Sequence, residues 1–165
     1  GTMKYLELAE TKSLPRVASI QNAYNLVNRG FEIGLSEVAM HEQVGLLAYS
    51  PLAQGTLTGK YLDGQMPQGS RLALFGDGPL MMRYKGDKTQ QAIEMYVNLA
   101  KKYEIDPAQL AIQFCNIQPF VTSTIIGATT MEQLKTCIDS VDLDITKEII
   151  NEIRSIHKEI PNPAP

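Results

Sequence analysis

The chain has few of the residues that build disulfides and metal sites. Its 165 residues include two cysteines, Cys115 and Cys137, and two histidines, His41 and His157, without metal-ligand spacing. We therefore expect free thiols in a reducing, cytoplasmic compartment, with a disulfide as the minor alternative, and no metal site. Both histidines are expected to be solvated residues near helix ends.

Long apolar runs and net positive charge are also missing. No stretch of about 18 apolar residues occurs, which argues against a membrane-spanning helix. The N-terminus shows no basic region followed by an apolar one, so no signal peptide is expected. A net charge of −3 argues against binding to nucleic acid or to an anionic membrane surface. With 44% hydrophobic and 20% charged residues, the composition predicts one globular unit over residues 1–165.

Strand and helix patterns alternate along the chain. Apolar runs and helical spacing predict strands at 17–21, 45–49 and 122–126, and helices at 4–12, 31–41, 89–103, from Asp106, from Thr130 and at 146–159. This order predicts an α/β fold with a parallel sheet. Three strands would leave both sheet edges open, whereas a closed β/α barrel needs eight, so we expect part of a larger structure.

The stretch LLAYSPLAQGTLTGKY leads from a predicted strand into a long loop, residues 50–88. Tyr49, at the carboxyl end of the strand, can stack on a flat ring. Ser50 and the loop amides can bind phosphate oxygens, and Lys60 adds a positive charge. On this stretch alone, a core aromatic and a solvated lysine are the better explanation, although so long a loop is typical of a functional or mobile segment.

A second anion-binding pattern follows the third strand. Gly127 allows a close approach of backbone, and the hydroxyls of Thr129 and Thr130 lie where a helix N-terminus favours an anion, although Thr130 can serve as a cap alone. At the end of the first strand, Gln21 can bind a ligand amide or a neighbouring loop carbonyl. Arg71 can reach a phosphate, but solvation is the simpler explanation. Two such strand ends on one sheet favour a nucleotide site.

Three segments, SIQNAYNLVNR, LLAYSPLAQGTLTGKY and STIIGATTMEQLKT, together resemble the aldo-keto reductases, in particular the bacterial Tas-like subgroup. The resemblance runs from Met3 to Pro165. It implies a partial (β/α)8 TIM barrel, strands 6 to 8 with their helices. It also implies NADP(H) as cofactor and a small-molecule carbonyl compound as substrate.

The resemblance further implies roles for individual residues. Gln21 resembles the glutamine that binds the nicotinamide carboxamide, and Tyr49 the aromatic residue that stacks on the nicotinamide ring. The other implied cofactor contacts are a pyrophosphate loop of Ser50, Pro51, Leu52, Ala53 and Gln54, the 2′-phosphate residues Lys60 and Arg71, and the adenosine-end residues Gly127, Thr129 and Gln133. At Thr136-Cys137 the chain departs from the usual acidic or polar residue followed by Asn, so the adenine amide contact is not implied.

No residue of this chain is predicted to be catalytic. The family's catalytic Asp, Tyr, Lys and His lie in an N-terminal half that has no counterpart here, and reduction of a carbonyl needs such a proton donor. We therefore expect the NADP(H)-binding half of an oxidoreductase that reduces aldehydes or ketones to alcohols, inactive by itself. The alternative is a non-catalytic truncated barrel that only self-associates or binds nucleotide weakly. Open strand edges predict a homo-oligomer or pairing with the N-terminal half.

Overall fold

The computed structural model describes residues 1–76 and 78–165. In these residues a parallel sheet consists of β1 (Ser19–Ala23), β2 (Gly45–Tyr49) and β3 (Val121–Thr124), in that spatial order. The α-helices are α1 (Thr2–Thr11), α2 (Leu35–His41), α3 (Arg71–Phe75), α4 (Pro79–Met82), α5 (Asp87–Lys102), α6 (Pro107–Asn116), α7 (Met131–Asp139) and α8 (Lys147–Glu159). The predicted α/β class is confirmed.

The register of the sheet brings the strand ends together. β1 pairs with β2 along its whole length, from Ser19 opposite Gly45 to Ala23 opposite Tyr49. β3 pairs along the other side of β2, with a register irregularity after Leu46. Because the strands are parallel, their carboxyl ends lie at one edge of the sheet. The chain leaves β2 at that edge, directly after Tyr49.

The two faces of the sheet differ in burial. Leu46 and Ala48 are fully buried in the main hydrophobic core, together with residues of α5, α6 and α8. The opposite face carries Gln21, Leu47 and Ser123, which are neighbours across the three strands. Gln21 and Ser123 are exposed, and Leu47 is only half-buried. One face of the sheet is therefore packed and the other is open.

The third strand ends at Thr124 instead of residue 126, and two other predicted elements differ more from the structure. The first strand is shifted from 17–21 to Ser19–Ala23, because pairing with β2 begins at Ser19 and extends to the buried Ala23. Gln21 therefore lies in the middle of its strand. The helix predicted at 31–41 is interrupted, since Gly34 has a φ of 85°, which separates a 3₁₀ turn at Gly30–Glu32 from α2.

The segment predicted as an irregular loop, residues 50–88, is partly helical. It contains 3₁₀ turns at Ala53–Thr58 and Leu62–Gly64 followed by α3 and α4, while Asp77 lies outside the described residues. It ends earlier than predicted, because α5 begins at Asp87. The segment therefore has local structure of its own.

The predicted helix starts are confirmed at α6 and α7. Asp106 Oδ1 accepts the backbone N–H of Ala108 at 2.7 Å. Thr130 Oγ1 accepts the backbone N–H of Gln133 at 3.2 Å. Each cap satisfies a donor that the first helical turn leaves without a partner. The caps thereby determine where the chain turns into a helix at the carboxyl edge of the sheet.

Both cysteines are buried, free thiols, as predicted. Burial raises the pKa of the thiols of Cys115 and Cys137. Among residues 1–76 and 78–165, no helix is long and apolar enough to cross a membrane.

A half-buried ion pair between Arg29 and Glu32 lies in the segment after β1 and acts electrostatically on His157 of α8. Arg29 donates to both carboxylate oxygens of Glu32, at 2.7 and 2.8 Å, and the Tyr24 hydroxyl donates to the same carboxylate at 2.6 Å. Burial acts to raise the pKa of Glu32, but these hydrogen bonds outweigh it and the pKa is lowered. Burial and then the Arg29 charge lower the pKa of His157, whose Nδ1 is buried without a hydrogen-bond partner in the described residues. The prediction of a solvated His157 is therefore wrong.

The C-terminal tail holds the same loop from the other side. Asn162 Oδ1 accepts the backbone N–H of Arg29 at 2.7 Å. The Ala164 N–H donates to the carbonyl of Val27 at 3.1 Å, and Ala164 is almost fully buried. The proline-rich end of the chain is thus part of the packed structure.

We expect stability to fall as the pH drops from neutral to about 5, and His157→Gln to remove this loss. The folded chain resists protonation of His157, whose pKa is lowered from 6.5, while the unfolded chain takes up the proton freely. The free energy of unfolding therefore decreases once the pH falls below that value. Below about pH 4.5 Glu32 adds a second loss of the same sign, since its pKa is also lowered.

Urea unfolding at several pH values measures both effects. His41→Gln, at the exposed end of α2, is the matched control. An acid-induced loss between pH 7 and 5 that survives unchanged in His157→Gln would contradict the role given to His157.

Candidate functional site

A cavity of about 670 Å³ opens at the carboxyl ends of β2 and β3. Its walls come from the loop after β2, residues 67–71, the start of α6 and the turn from β3 into α7. Nine of the twelve residues predicted to contact a cofactor line it: Ser50, Pro51, Leu52, Gln54, Lys60, Arg71, Gly127, Thr129 and Gln133. The structure thus brings together residues that are up to 83 positions apart in the sequence.

The wall next to β2 begins with a strained backbone corner. Ser50, Ala53 and Gln54 have φ values of 56°, 49° and 59°, which cost residues other than glycine about 1–3 kcal/mol each. Hydrogen bonds hold the corner: the Ala53 N–H donates to the Ser50 carbonyl at 2.9 Å, and Gln54 Nε2 donates to the Ser50 hydroxyl at 3.0 Å. Strain of this kind is typical of ligand sites.

Ala53 supports this wall from behind. It is fully buried, does not line the cavity, and its carbonyl accepts the hydroxyl of Thr56 at 2.8 Å. The structure therefore gives Ala53 a position under the loop, unlike its neighbours in the predicted pyrophosphate segment.

Lys60 crosses the loop and reaches the cavity. A Cβ at Gly55 would lie 3.0 Å from Cε and 3.1 Å from Nζ of Lys60, so the glycine leaves room for the lysine side chain. The Nζ atom lies 5.1 Å from the centroid of the Tyr61 ring, over its face. Lys60 is half-buried and lines the cavity.

The opposite wall is formed by the start of α7. Gln133 Oε1 accepts the backbone N–H of Thr129 at 3.0 Å and its hydroxyl at 3.1 Å. Since this oxygen is engaged, the Nε2 amide group is what Gln133 can offer to a ligand. Glu132 and Asp106 also line the cavity, so carboxylates lie on the side of the helices.

Charge is therefore divided across the cavity. Lys60 belongs to the loop after β2 and Arg71 to the segment 67–71, whereas Asp106 and Glu132 belong to the starts of α6 and α7. An anionic group is favoured on the loop side, and a group that donates hydrogen bonds is favoured on the helix side.

The thiol of Cys137 also lines the cavity. Burial, and to a lesser extent the Asp106 charge, raise its pKa. The thiol therefore stays protonated at neutral pH and is a poor nucleophile. In the part of the chain that the structure describes, no group of three or more His, Cys, Asp or Glu residues could hold a metal ion.

Tyr49 and Gln21 lie on the open face of the sheet and not in the cavity wall. The side chain of Tyr49 is 38% exposed, so the alternative of a core aromatic is wrong. Gln21 is opposite Leu47, two residues before Tyr49, and alternate residues of a strand share a face. The ring and the amide are therefore on the same side of the sheet, next to the point where Ser50 enters the cavity.

Sequence reasoning missed two kinds of residue in this region. Asp106 was identified only as a helix cap, although it also lines the cavity. Asn25 does not line it, yet its Nδ2 donates to the Ser50 carbonyl at 2.9 Å. A usable signal for Asn25 is the polar Asn25-x-x-Asn28 turn placed directly after a strand.

A parallel sheet with a polar cavity at its strand ends is the arrangement in which α/β proteins commonly bind their ligands. The model of the Aldo/keto reductase family matches residues 2–158. The chain belongs to the Aldo/keto reductase family. The fold of that family is the (β/α)8 barrel, and the three parallel strands of this chain are consistent with part of such a barrel.

Individual relatives support the assignment. The chain is 50% identical over 165 residues to Protein tas of Escherichia coli (strain K12), across 100% of this chain and 47% of that protein. It is 37% identical over 164 residues to an aldo-keto reductase of Babesia bovis, across 95% and 57%. It is 33% identical over 144 residues to L-glyceraldehyde 3-phosphate reductase of Escherichia coli (strain K12), across 86% and 41%. The chain therefore spans about half the length of the curated relatives it matches.

We expect Gly59→Ala to destabilise the chain more than Gly64→Ala. Both glycines have left-handed φ values, 80° and 72°, but only at Gly59 would a Cβ meet other atoms, those of Val97 at 3.1 and 3.3 Å. Placing an alanine at a left-handed φ costs about 1 kcal/mol of stability in both variants. Displacing Val97, which is 2% exposed, adds about 1–3 kcal/mol. Denaturant unfolding of the two variants measures the difference, and equal losses would show that the cavity loop does not rest on α5 at this point.

Proposed function

We propose that this chain is the NADP(H)-binding half of an oxidoreductase that reduces aldehydes or ketones to alcohols. The observation that carries the proposal is that one cavity at the ends of β2 and β3 is lined by nine residues for which the family resemblance implies cofactor contacts. Members of this family typically use a nicotinamide cofactor, which supplies the hydride for reduction of the carbonyl group. One of the relatives is a reductase by name, L-glyceraldehyde 3-phosphate reductase.

The arrangement of charges in the cavity fits a dinucleotide with a 2′-phosphate. Lys60 is half-buried with its ammonium group next to the loop, and we propose that it binds the 2′-phosphate with help from the exposed Arg71. Small residues and the left-handed corner from Ser50 to Gln54 leave room for the pyrophosphate. Gln133 Nε2 can donate to the adenosine end, as can the backbone near Gly127.

The open face of the sheet fits the nicotinamide end. The Tyr49 ring is exposed at the carboxyl edge and can stack on a flat ring. The amide of Gln21 lies on the same face and can bind a carboxamide. These residues orient the cofactor, and we propose that no residue of this chain supplies the proton to the substrate. Because both thiols are free, we propose a reducing, cytoplasmic setting.

We further propose that β1, β2 and β3 are strands 6, 7 and 8 of the barrel and that the chain requires an additional partner. Next to β3 lies a second cavity of about 520 Å³, with Ile117, Ile138 and Val141 on its rim. These side chains are 40%, 56% and 60% exposed. Several hundred Å² of apolar surface in water corresponds to a cost on the order of 10 kcal/mol. An N-terminal half or a second copy of the chain would cover this surface.

Replacing Lys60 tests the cofactor assignment. Lys60→Ala is expected to weaken NADPH binding by about tenfold to a hundredfold, since a charge-assisted phosphate contact is worth about 1.5–3 kcal/mol. Binding of NADH, which lacks the 2′-phosphate, should change little. Calorimetry with both nucleotides measures the difference, and Lys88→Ala, which removes the same charge outside the cavity, is the control. Equal weakening of NADPH and NADH binding would contradict the proposal that Lys60 binds the 2′-phosphate.

The assembly state tests the exposed apolar surface. We expect the chain at micromolar concentration to form oligomers in size-exclusion chromatography with light scattering. Val141→Asp is expected to shift the population towards monomer, because it places a charge on the rim of the second cavity, whereas Leu74→Asp on α3 should not. A stable, cooperatively unfolding monomer of the unmodified chain, about 18 kDa, would contradict this prediction.

A measurement of reductase activity distinguishes the cofactor-binding half of an enzyme from a non-catalytic truncated barrel. The chain alone is expected to give no reduction of model aldehydes with NADPH above background, and co-expression with the N-terminal half of a relative is expected to restore it. Robust turnover by the homogeneous chain would show that the proton donor lies within these residues. Absence of restored activity in a stable complex would favour a non-catalytic truncated barrel that only self-associates or binds nucleotide weakly.

A further inference from the structure

Asn25 uses its side-chain amide in three hydrogen bonds. It is fully buried. Its Oδ1 accepts the backbone N–H groups of Val27 at 3.0 Å and Asn28 at 2.9 Å, which closes the turn after β1. Its Nδ2 donates to the carbonyl of Ser50 at 2.9 Å. One side chain therefore ties the turn after β1 to the first residue after β2.

The bond to Ser50 acts on a strained part of the backbone. Ser50 has a φ of 56° and directly follows Tyr49, whose carbonyl accepts the backbone N–H of Tyr24 at 3.3 Å. With both carbonyls held from the turn after β1, the backbone between them cannot relax to a common negative φ. The directions in which the Tyr49 ring and the Ser50 hydroxyl leave the backbone are thereby fixed.

The segment after α4 also reaches Asn25. Tyr84, just after α4, is almost fully buried. Burial raises the pKa of Tyr84, and Arg83 and Asn25 beside its hydroxyl offset part of that rise. Asn25 therefore lies where the turn after β1, the start of the cavity loop and the end of the long segment converge.

We propose that Asn25 is a positioning residue, which holds the Tyr49–Ser50 corner in the conformation that receives the nicotinamide end of the cofactor. This inference rests on the proposed NADP(H) site and concerns one end of it. The groups assigned to the other end, Lys60 and Gln133, make no hydrogen bond to Asn25 in the described residues. The two ends of the site therefore differ in their dependence on Asn25.

A matched pair of substitutions isolates the bond to Ser50. Asn25→Asp keeps the oxygen that accepts from Val27 and Asn28, so the turn is retained, but it faces the Ser50 carbonyl with a second oxygen instead of a donor. Asn28→Asp introduces the same change in the same turn, and the side chain of Asn28 makes its described hydrogen bond to the Gly30 N–H, not to Ser50. Any general effect of a carboxylate in this turn appears in both variants.

The readout compares two ligands that share the adenosine end. Calorimetry is performed on each variant with NADPH and with adenosine 2′,5′-bisphosphate, which has no nicotinamide. Asn25→Asp is expected to weaken the binding of NADPH about tenfold and to leave the affinity for the bisphosphate within about twofold of its original value. Asn28→Asp is expected to change neither affinity. Unchanged NADPH affinity in Asn25→Asp, or equal weakening of both ligands, would overturn the positioning role. If the unmodified chain binds neither ligand, the NADP(H) site itself is refuted, and the positioning role with it.

A measurement without nucleotide tests the same bond. The backbone ¹³C shifts of Ser50 report its left-handed φ, and we expect them to move towards ordinary values in Asn25→Asp but not in Asn28→Asp. Unchanged Ser50 shifts in a folded Asn25→Asp variant would show that the corner does not depend on Asn25.

Discussion

The parallel pairing of β1, β2 and β3 is the constraint on which the site depends. The register that pairs Ala23 with Tyr49 also sets Gln21 opposite Leu47. Gln21 and Tyr49 therefore lie on the same face of the sheet, near its carboxyl edge. A slip of one residue would turn Tyr49 into the core and Ala48 onto the open face. The full burial of Leu46 and Ala48 beneath the helices opposes such a slip, so packing on one face determines what the other face presents.

The same edge carries a concentrated stretch of backbone strain. Left-handed φ values at Ser50, Ala53 and Gln54 occur in one short stretch, and hydrogen bonds from Asn25 and within the loop hold them there. A stretch of this kind opposes stability, so its presence has to be explained by what it presents. Here it presents small side chains and a hydroxyl to a cavity that also receives Lys60.

The division of charge across the cavity gives the site its direction. Cationic side chains come from the loop side and carboxylates from the helix starts. A ligand with a phosphate at one end and hydrogen-bond donors at the other is therefore oriented in one sense. Gln133 adds a donor beside these carboxylates, because Thr129 occupies its oxygen and leaves its amide group available, so the helix side can also bind an acceptor of the ligand.

Much of the scaffold could be predicted from the sequence, because it depends on local signals. The continuous apolar run Gly45–Tyr49 determines β2, and the caps Asp106 and Thr130 determine the starts of their helices. The break at Gly34 depends on a backbone angle that an amphipathic pattern does not encode. The shift of β1 depends on pairing with β2, which is a non-local property.

Side-chain placement in the site was predictable only in part. Except for Arg71, the predicted residues that line the cavity lie within two short motifs, so the resemblance identified them as groups. The position of Ala53 behind the wall and the bond from Asn25 to Ser50 depend on packing between distant loops. The half-buried position of His157 and the effect of the Arg29 charge on its pKa likewise depend on packing between segments far apart in the sequence.

The central claim is that the two strand ends form one nucleotide site, and titration of the isotope-labelled chain with NADPH tests it most directly. The account predicts saturable shifts of the backbone amides of residues 50–55 and of residues 127–133 with one common dissociation constant. Shifts confined to one of the two segments, or no saturable shift in either, would contradict it.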